Sequence, residues 1–401
     1  MELDGEHPRP SAEPTIMEAL ETDKTPVTAK KVLLFRPTLG EGGADRVTIT
    51  LLRHLDRQTV RPSLVLVKRD GTLIDEVPKD IPVIDLGASR LRFSWLRLAS
   101  VLRREKPDVL FSTSSGGNLV AALAHRIAFD PNRRLVLSER NTFSQVRREK
   151  RSPWLPVVAM TRRFYSRADR IIAVSEGVAK DLIQTLALPE ELVTAIHNPV
   201  VDEELYELSE QPIDHPWVQQ GTPIVLAVGR LVPQKDYPLL LRAFTRIRER
   251  RRARLIVLGE GESRRSLERL AERLGVRDDV DFAGFKKNPF PFMRNCTVFV
   301  LSSRFEGLPG ALIQAMACGA PVISTDCPSG PAEIISEGSS GFLVPVGDEN
   351  RLTEALERLL DDESLRRAFS EAGKKAASAF AVDSMVRQYE EELLSVTPGG
   401  R

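Results

Sequence analysis

From residue 30 onward two patterns of apolar residues take turns along the chain. One is a short run of aliphatic, often β-branched residues closed by Gly, Pro, Ser, Asp or Asn, which predicts a buried strand. The other repeats apolar residues every three or four positions, as at Val47, Leu51 and Leu55, and predicts a helix with one face on a core. The first pattern falls at 31–37, 63–67, 109–112, 135–137, 171–174 and 193–201, and again at 223–228, 255–259, 280–283, 298–301, 322–324 and 341–345. The second fills 44–55, 96–104 and 119–129, then 237–250, 266–274, 310–318, 352–360, 365–377 and 384–394. Strands that alternate with helices predict an α/β protein with parallel sheets, because a parallel connection needs a crossover. With 401 residues the chain exceeds the roughly 250–300 over which a single core keeps growing. Two doubly wound domains are therefore expected, at 30–202 and 223–382. An irregular linker at 203–222, broken by Pro212, Pro216 and Gly221, joins them. Residues 1–29, rich in Pro, Glu and Thr, read as a disordered tail.

Composition narrows the class. Apolar residues make up 42% of the chain, an ordinary globular share, and no apolar run reaches the ~20 residues of a membrane span. The acidic, polar start predicts no secretory signal. Cys296, Cys318 and Cys327 are odd in number and lack C-x-x-C spacing, which predicts free thiols in a reducing cytoplasm. The net charge of +1 conceals an asymmetry: residues 30–200 carry 29 Lys and Arg against 18 Asp and Glu. Such a basic half can meet nucleic acid, anionic lipid or phosphorylated ligands. Two stretches, RLRFSWLRLASVLRR at 90–104 and QVRREKRSPWLPVVAMTRRFYSR at 145–167, interleave arginine with Trp, Leu and Phe at helical spacing. That suits either a face lying on the inner surface of a membrane or amphipathic helices packed on the sheet with snorkelling arginines. No nucleic-acid reading module accompanies the charge, so nucleic acid is not expected as a partner.

Chemistry gathers in the loops that follow strands, where open parallel sheets bind ligands. FVLSSRFEGLPGALIQAMACGAPVIST, at 299–325, reads as strand, loop, helix, strand, with Glu306 and Gly307 at the end of the first strand. Glu306 taken alone reads more plainly as a helix-capping acid. GRLVPQKD, at 229–236, places Arg230 and Lys235 before a helix, an arrangement that can neutralise a diphosphate with one fork and one point charge. For an arbitrary loop, two solvated cations would be the plainer account. The glycine pair in GEGGADRV, at 40–47, opens another helix and can hold a phosphate on backbone N–H groups or form a plain tight turn. SERN, at 138–141, ends a strand with Arg140 and Asn141; Arg140 is permanently charged and can bind an anion, or pair with Glu139 or Glu149. GFKKNP, at 284–289, offers Phe285 and Lys286 or is a surface loop. Asp279-Val280-Asp281 matches D-x-D, a weak metal signal at the start of a strand. The 259–264 glycines do not complete G-x-G-x-x-G, so no dinucleotide fold follows from them.

Taken together, FEGLPGALIQAMACGAPVIST, GRLVPQKD and GEGGADRV resemble the retaining GT-B glycosyltransferases of family 4, over nearly all of 30–394. The resemblance implies two Rossmann-like domains facing a cleft and a final helix, within 383–396, that crosses back onto the first domain. It implies metal-free transfer of a hexosyl or N-acetylhexosaminyl group from a nucleotide sugar, a UDP-sugar above all, which is a substrate rather than a cofactor. The DCPSGPAEI stretch, at 326–334, is similar to a branch that builds bacterial surface glycans, which implies a lipid-linked or growing saccharide as acceptor. Carried over position by position, Arg230, Lys235 and Glu306 become the catalytic set. Gly42, Gly43, Phe285, Lys286, Gly307, Leu308, Pro309 and Gln314 bind donor, and Arg140 and Asn141 lie on the acceptor side. Two departures stand out: Gln314 replaces the second acid of the acid-x7-acid motif, and Arg140 stands where a histidine is usual. Two other classes remain open, a GT-B nucleotide-sugar epimerase and a non-catalytic nucleotide-sugar or glycan binder.

Overall fold

The computed structural model describes residues 29–40, 42–149 and 154–395. The proposed tail, apart from residue 29, and the last residue of the proposed crossing segment lie outside them.

Seven strands form the first sheet: β1 (Lys30–Arg36), β2 (Val60–Leu66), β3 (Val83–Asp85), β4 (Val109–Ser112), β5 (Arg134–Glu139), β6 (Arg170–Ala173) and β7 (Val193–Ala195). Their order is β3-β2-β1-β4-β5-β6-β7, with every pairing parallel. Six more form the second: β8 (Ile224–Val228), β9 (Arg254–Leu258), β10 (Val280–Gly284), β11 (Val298–Leu301), β12 (Val322–Thr325) and β13 (Phe342–Val344). They lie in the order β10-β9-β8-β11-β12-β13, again all parallel. Helices cover both faces of each sheet, so central strands are apolar throughout rather than alternating; Val32 to Phe35 are wholly buried. Each sheet reverses its winding once, between β1 and β4 and between β8 and β11. Strand ends diverge at such a reversal and leave a crevice.

The helix Val382–Ser395 lies on the first sheet. Val386, Tyr389 and Leu393 join one buried cluster with Val32, Leu34 and Leu52. Lys30 Nζ donates to the Leu394 carbonyl at 2.6 Å, and Arg170 pairs with Glu392 at 3.0 Å.

Several local expectations need correction. The segment 203–222 is not irregular throughout, since it carries the helices Glu203–Ser209 and Pro216–Gln219. Asp202 caps the first by accepting from the Leu205 N–H at 2.8 Å, and Pro216 opens the second, where its missing N–H costs nothing. The helix expected at 119–129 begins at Ser115, because the Ser114 hydroxyl accepts from the Gly117 N–H at 3.1 Å. The run 193–201 stops as a strand at Ala195; Val201 instead makes an isolated bridge with Ala381. The stretches at 90–104 and 145–167 fold as the helices Trp95–Glu105, Phe143–Glu149 and Trp154–Tyr165. Leu98, Ala99, Val101 and Leu102 face the core, while Phe93, Leu96 and Met160 remain exposed.

Candidate active site

The loop after β8 carries Arg230 and Lys235, and the loop after β11 carries Glu306; both leave the second sheet at its reversal. Backbone and side-chain bonds tie them together. Arg304 N–H donates to the Gln234 carbonyl at 2.8 Å, Gln234 Nε2 to the Phe305 carbonyl at 2.8 Å, and Ser302 Oγ to the Lys235 carbonyl at 2.8 Å. Arg304 also pairs with buried Asp236 at 3.0 Å. Beneath them Leu231 N–H donates to the Glu260 carbonyl at 2.8 Å. A Cβ on Gly261 would stand 2.4 Å from the Leu231 carbonyl oxygen, so the 259–261 glycines serve close backbone packing.

Lys235 Nζ lies 2.6 Å from Glu306 Oε1, and the Ser303 hydroxyl donates to the same oxygen at 2.6 Å. Both charged side chains are largely buried, 15% and 8% exposed, so each is the other's main compensation. Arg230 differs: it is exposed, and its guanidinium has no hydrogen bond or ion pair among the described residues. An unspent cation beside a charge-paired lysine at strand ends is suited to an anionic ligand.

Gly307, Leu308 and Pro309 follow, with Pro309 capping the helix Gly310–Ala317. Gly307 meets the other lobe. A Cβ there would fall 2.1 Å from the Arg140 carbonyl oxygen and 3.2 Å from the Asn141 Cα. Glu306, Gly307, Arg140 and Asn141 are thus brought together across the cleft. The Arg140 side chain pairs with neither Glu139 nor Glu149; it is buried, and Nη1 donates to Asn198 Oδ1 at 2.6 Å. Glu139 is held instead by the Ser115 and Tyr165 hydroxyls, and its complete burial pushes its carboxyl above the ordinary range. Gln314 is half-buried, and its side-chain amide makes no hydrogen bond among the described residues.

Gly42 and Gly43 sit after β1, where Gly42 caps the helix Gly43–His54. Below them Arg36 is buried against Asp45, with Nη1 donating to the Thr113 carbonyl at 2.7 Å. One helical turn on, Arg46 Nη2 donates to the Lys287 carbonyl at 3.2 Å, which joins this loop to the one holding Phe285 and Lys286. Phe285 is 39% exposed, and Lys286 lines a hollow with Pro212, Asp214 and Phe292. The D-x-D acids are committed elsewhere: Asp279 to Arg248 and Arg254, Asp281 to His215.

Sequence reasoning passed over Ser303, Thr142, Ser175, Asn198 and Glu333. The Thr142 hydroxyl donates to the Glu306 carbonyl at 2.7 Å and that of Ser175 to the Gly307 carbonyl at 2.9 Å. Glu333 accepts from the Glu176 and Gly177 N–H groups at 2.8 and 3.0 Å and meets His197 Nε2 at 3.3 Å. Single hydroxyls and an isolated acid have no characteristic spacing to betray them.

Two family models match the chain: Glycosyltransferase Family 4 over residues 41–204 and Glycosyl transferases group 1 over residues 213–376. The N-acetylgalactosamine-N,N'-diacetylbacillosaminyl-diphospho-undecaprenol 4-alpha-N-acetylgalactosaminyltransferase of Campylobacter jejuni is 28% identical over 377 residues, 91% of this chain and 100% of that protein. The lipopolysaccharide core biosynthesis glycosyltransferase LpsE of Rhizobium meliloti is 27% identical over 88% of this chain and 94% of its own. The solved structure of HepE from Anabaena, in complex with UDP and glucose, matches with a TM-score of 0.77 at 22% identity, covering 91% of this chain and 100% of that one. With a family model on each lobe and relatives that span nearly the whole length, the chain belongs to the GT-B glycosyltransferases of the family 4 type.

Proposed function

We propose that the chain moves a hexosyl or N-acetylhexosaminyl group from a UDP-sugar, with retention and without metal, to a lipid-linked or surface-glycan acceptor. The observation that carries this reading is the Lys235–Glu306 pair, with Arg230 in the same loop and without a partner among the described residues, at the reversal of the second sheet. Arg230 and Lys235 balance the charge that grows on the departing diphosphate, so no cation need be recruited. Glu306 accepts from donor hydroxyls and orients Lys235. Gln314 accepts from and donates to a ribose hydroxyl where an acid would only accept. In the transfer the anomeric carbon's bond to the diphosphate oxygen breaks and its bond to the acceptor oxygen forms on the same face. The acceptor's proton passes to the leaving phosphate. Relatives named for diphospho-undecaprenol and lipopolysaccharide substrates support the acceptor class. The exposed Phe93, Leu96 and Met160 among arginines suit work at a membrane surface, and no described helix is long and apolar enough to cross one.

The test is a panel of UDP- and GDP-sugars offered with polyprenyl-diphosphate-linked saccharides. Transfer from a UDP-sugar, unchanged by EDTA, with the donor's anomeric configuration kept in the NMR coupling of the product, is the expected result. Inverted product, or turnover of the sugar nucleotide without any acceptor, would replace this reading.

A further inference from the structure

The acceptor lobe reaches across the cleft to hold two carbonyls of the donor lobe. Thr142, just past β5, donates to the Glu306 carbonyl at 2.7 Å, and Ser175, just past β6, donates to the Gly307 carbonyl at 2.9 Å. A trans peptide is planar, so its C=O and the following N–H point in opposite directions. Fixing these two carbonyls therefore fixes the directions of the Gly307 and Leu308 N–H groups. Neither N–H donates to a protein group among the described residues. Amide donors without a partner, at the end of a strand and next to Glu306, are open to a ligand.

The rest of the seam keeps the two hydroxyls in place. Gly307 admits the Arg140 carbonyl at a distance that any side chain would block. Gly177 lies under Ser329, where a Cβ would meet Oγ at 2.6 Å. Thr142 Oγ1 lies 3.3 Å from Ser329 Oγ, and Glu333 bonds the start of the helix Glu176–Leu186. Ser175 has a second duty, since its hydroxyl accepts from the Val178 N–H at 3.3 Å and caps that helix. Thr142 directly precedes the helix Phe143–Glu149, but its hydroxyl accepts from no helix N–H among the described residues, so its contact with Glu306 is the cleaner one to test.

We propose that Thr142 and Ser175 are positioning residues, by which docking of the acceptor lobe aims the Gly307 and Leu308 amides at the sugar of the bound donor. This rests on the reading of the cleft as a UDP-sugar site. Donor sugar is then gripped fully only when the lobes are together. Uridine diphosphate itself, held by Arg230 and Lys235, is gripped regardless.

The experiment compares the full chain with Thr142→Val and Thr142→Ser. Turnover is measured with the UDP-sugar that the wild type uses, and UDP affinity by calorimetry. Valine keeps the shape and removes the donor; serine keeps the donor. Turnover falls about tenfold in Thr142→Val and returns to near the wild-type rate in Thr142→Ser, while all three bind UDP alike. Wild-type turnover in Thr142→Val overturns the inference, as does equal impairment of the serine variant. A fall in UDP affinity that tracks turnover would show general damage to the fold and overturn it too. A wild type that binds no UDP removes the functional reading and this inference with it; a wild type active beside an undiminished valine variant removes the inference alone.

Discussion

Arg230 and Lys235 stand in one loop, yet their loss should show differently. Arg230 is exposed and has no partner among the described residues, so Arg230→Ala should lower turnover by about 10²–10³, roughly 3–4 kcal/mol of transition-state stabilisation, with the melting temperature unchanged. Lys235→Ala should lose as much turnover and in addition destabilise the chain by roughly 3–5 kcal/mol, because Glu306 would be left buried without its cation. Steady-state kinetics and thermal melts on the two variants separate these outcomes. Both residues were legible only through the family resemblance of GRLVPQKD, since two cations in an arbitrary loop read more plainly as solvated. Thr142 was not legible: it bonds a residue 164 positions away, and nothing near it in the chain marks it out. Arg140 was legible as an unusual charge, but its bond to Asn198 depends on how the end of β5 meets the segment after β7.

Among the elements, the strands of both sheets were easiest to read, since burial on two faces demands continuous apolar runs. β3 escaped notice because it has three residues and none is fully buried. The helices in 203–222 are hard to read because each is short and Pro212, Pro216 and Gly221 punctuate the segment as breakers, whereas Pro216 starts a helix. Loop glycines were legible as turn residues, but not as points of lobe contact. Gly307→Ala tests that role. Its Cβ cannot share space with the Arg140 carbonyl, so the lobes should dock less closely and the 306–309 loop should shift. Turnover should drop sharply while UDP still binds. Small-angle scattering should record a larger radius of gyration; an unchanged radius with full activity would contradict the close approach.

For the molecule as a whole, two lobes followed from length and from the alternation of strand and helix, but the seam between them did not, because every bond in it links distant segments. Glu333 gives that seam a pH dependence. Burial pushes its carboxyl up, but bonds from His197 and from the Gly177 and Glu176 N–H groups outweigh this and hold it below the usual glutamate range. A carboxyl lowered in the docked state stabilises that state above its free value, and the stabilisation is lost as pH falls through the lowered one. The gap in melting temperature between wild type and Glu333→Gln should therefore be widest near pH 7 and close as pH drops below ~4. A gap independent of pH would mean that the charge has no part in docking. The claim on which the whole account turns is that fixed cations after β8 hold a nucleotide diphosphate, and calorimetric titration of UDP into the wild type and Arg230→Ala tests it most directly. The account predicts saturable heat in the wild type and at least about tenfold weaker binding in the variant; no heat in the wild type, or equal affinity in the two, would contradict it.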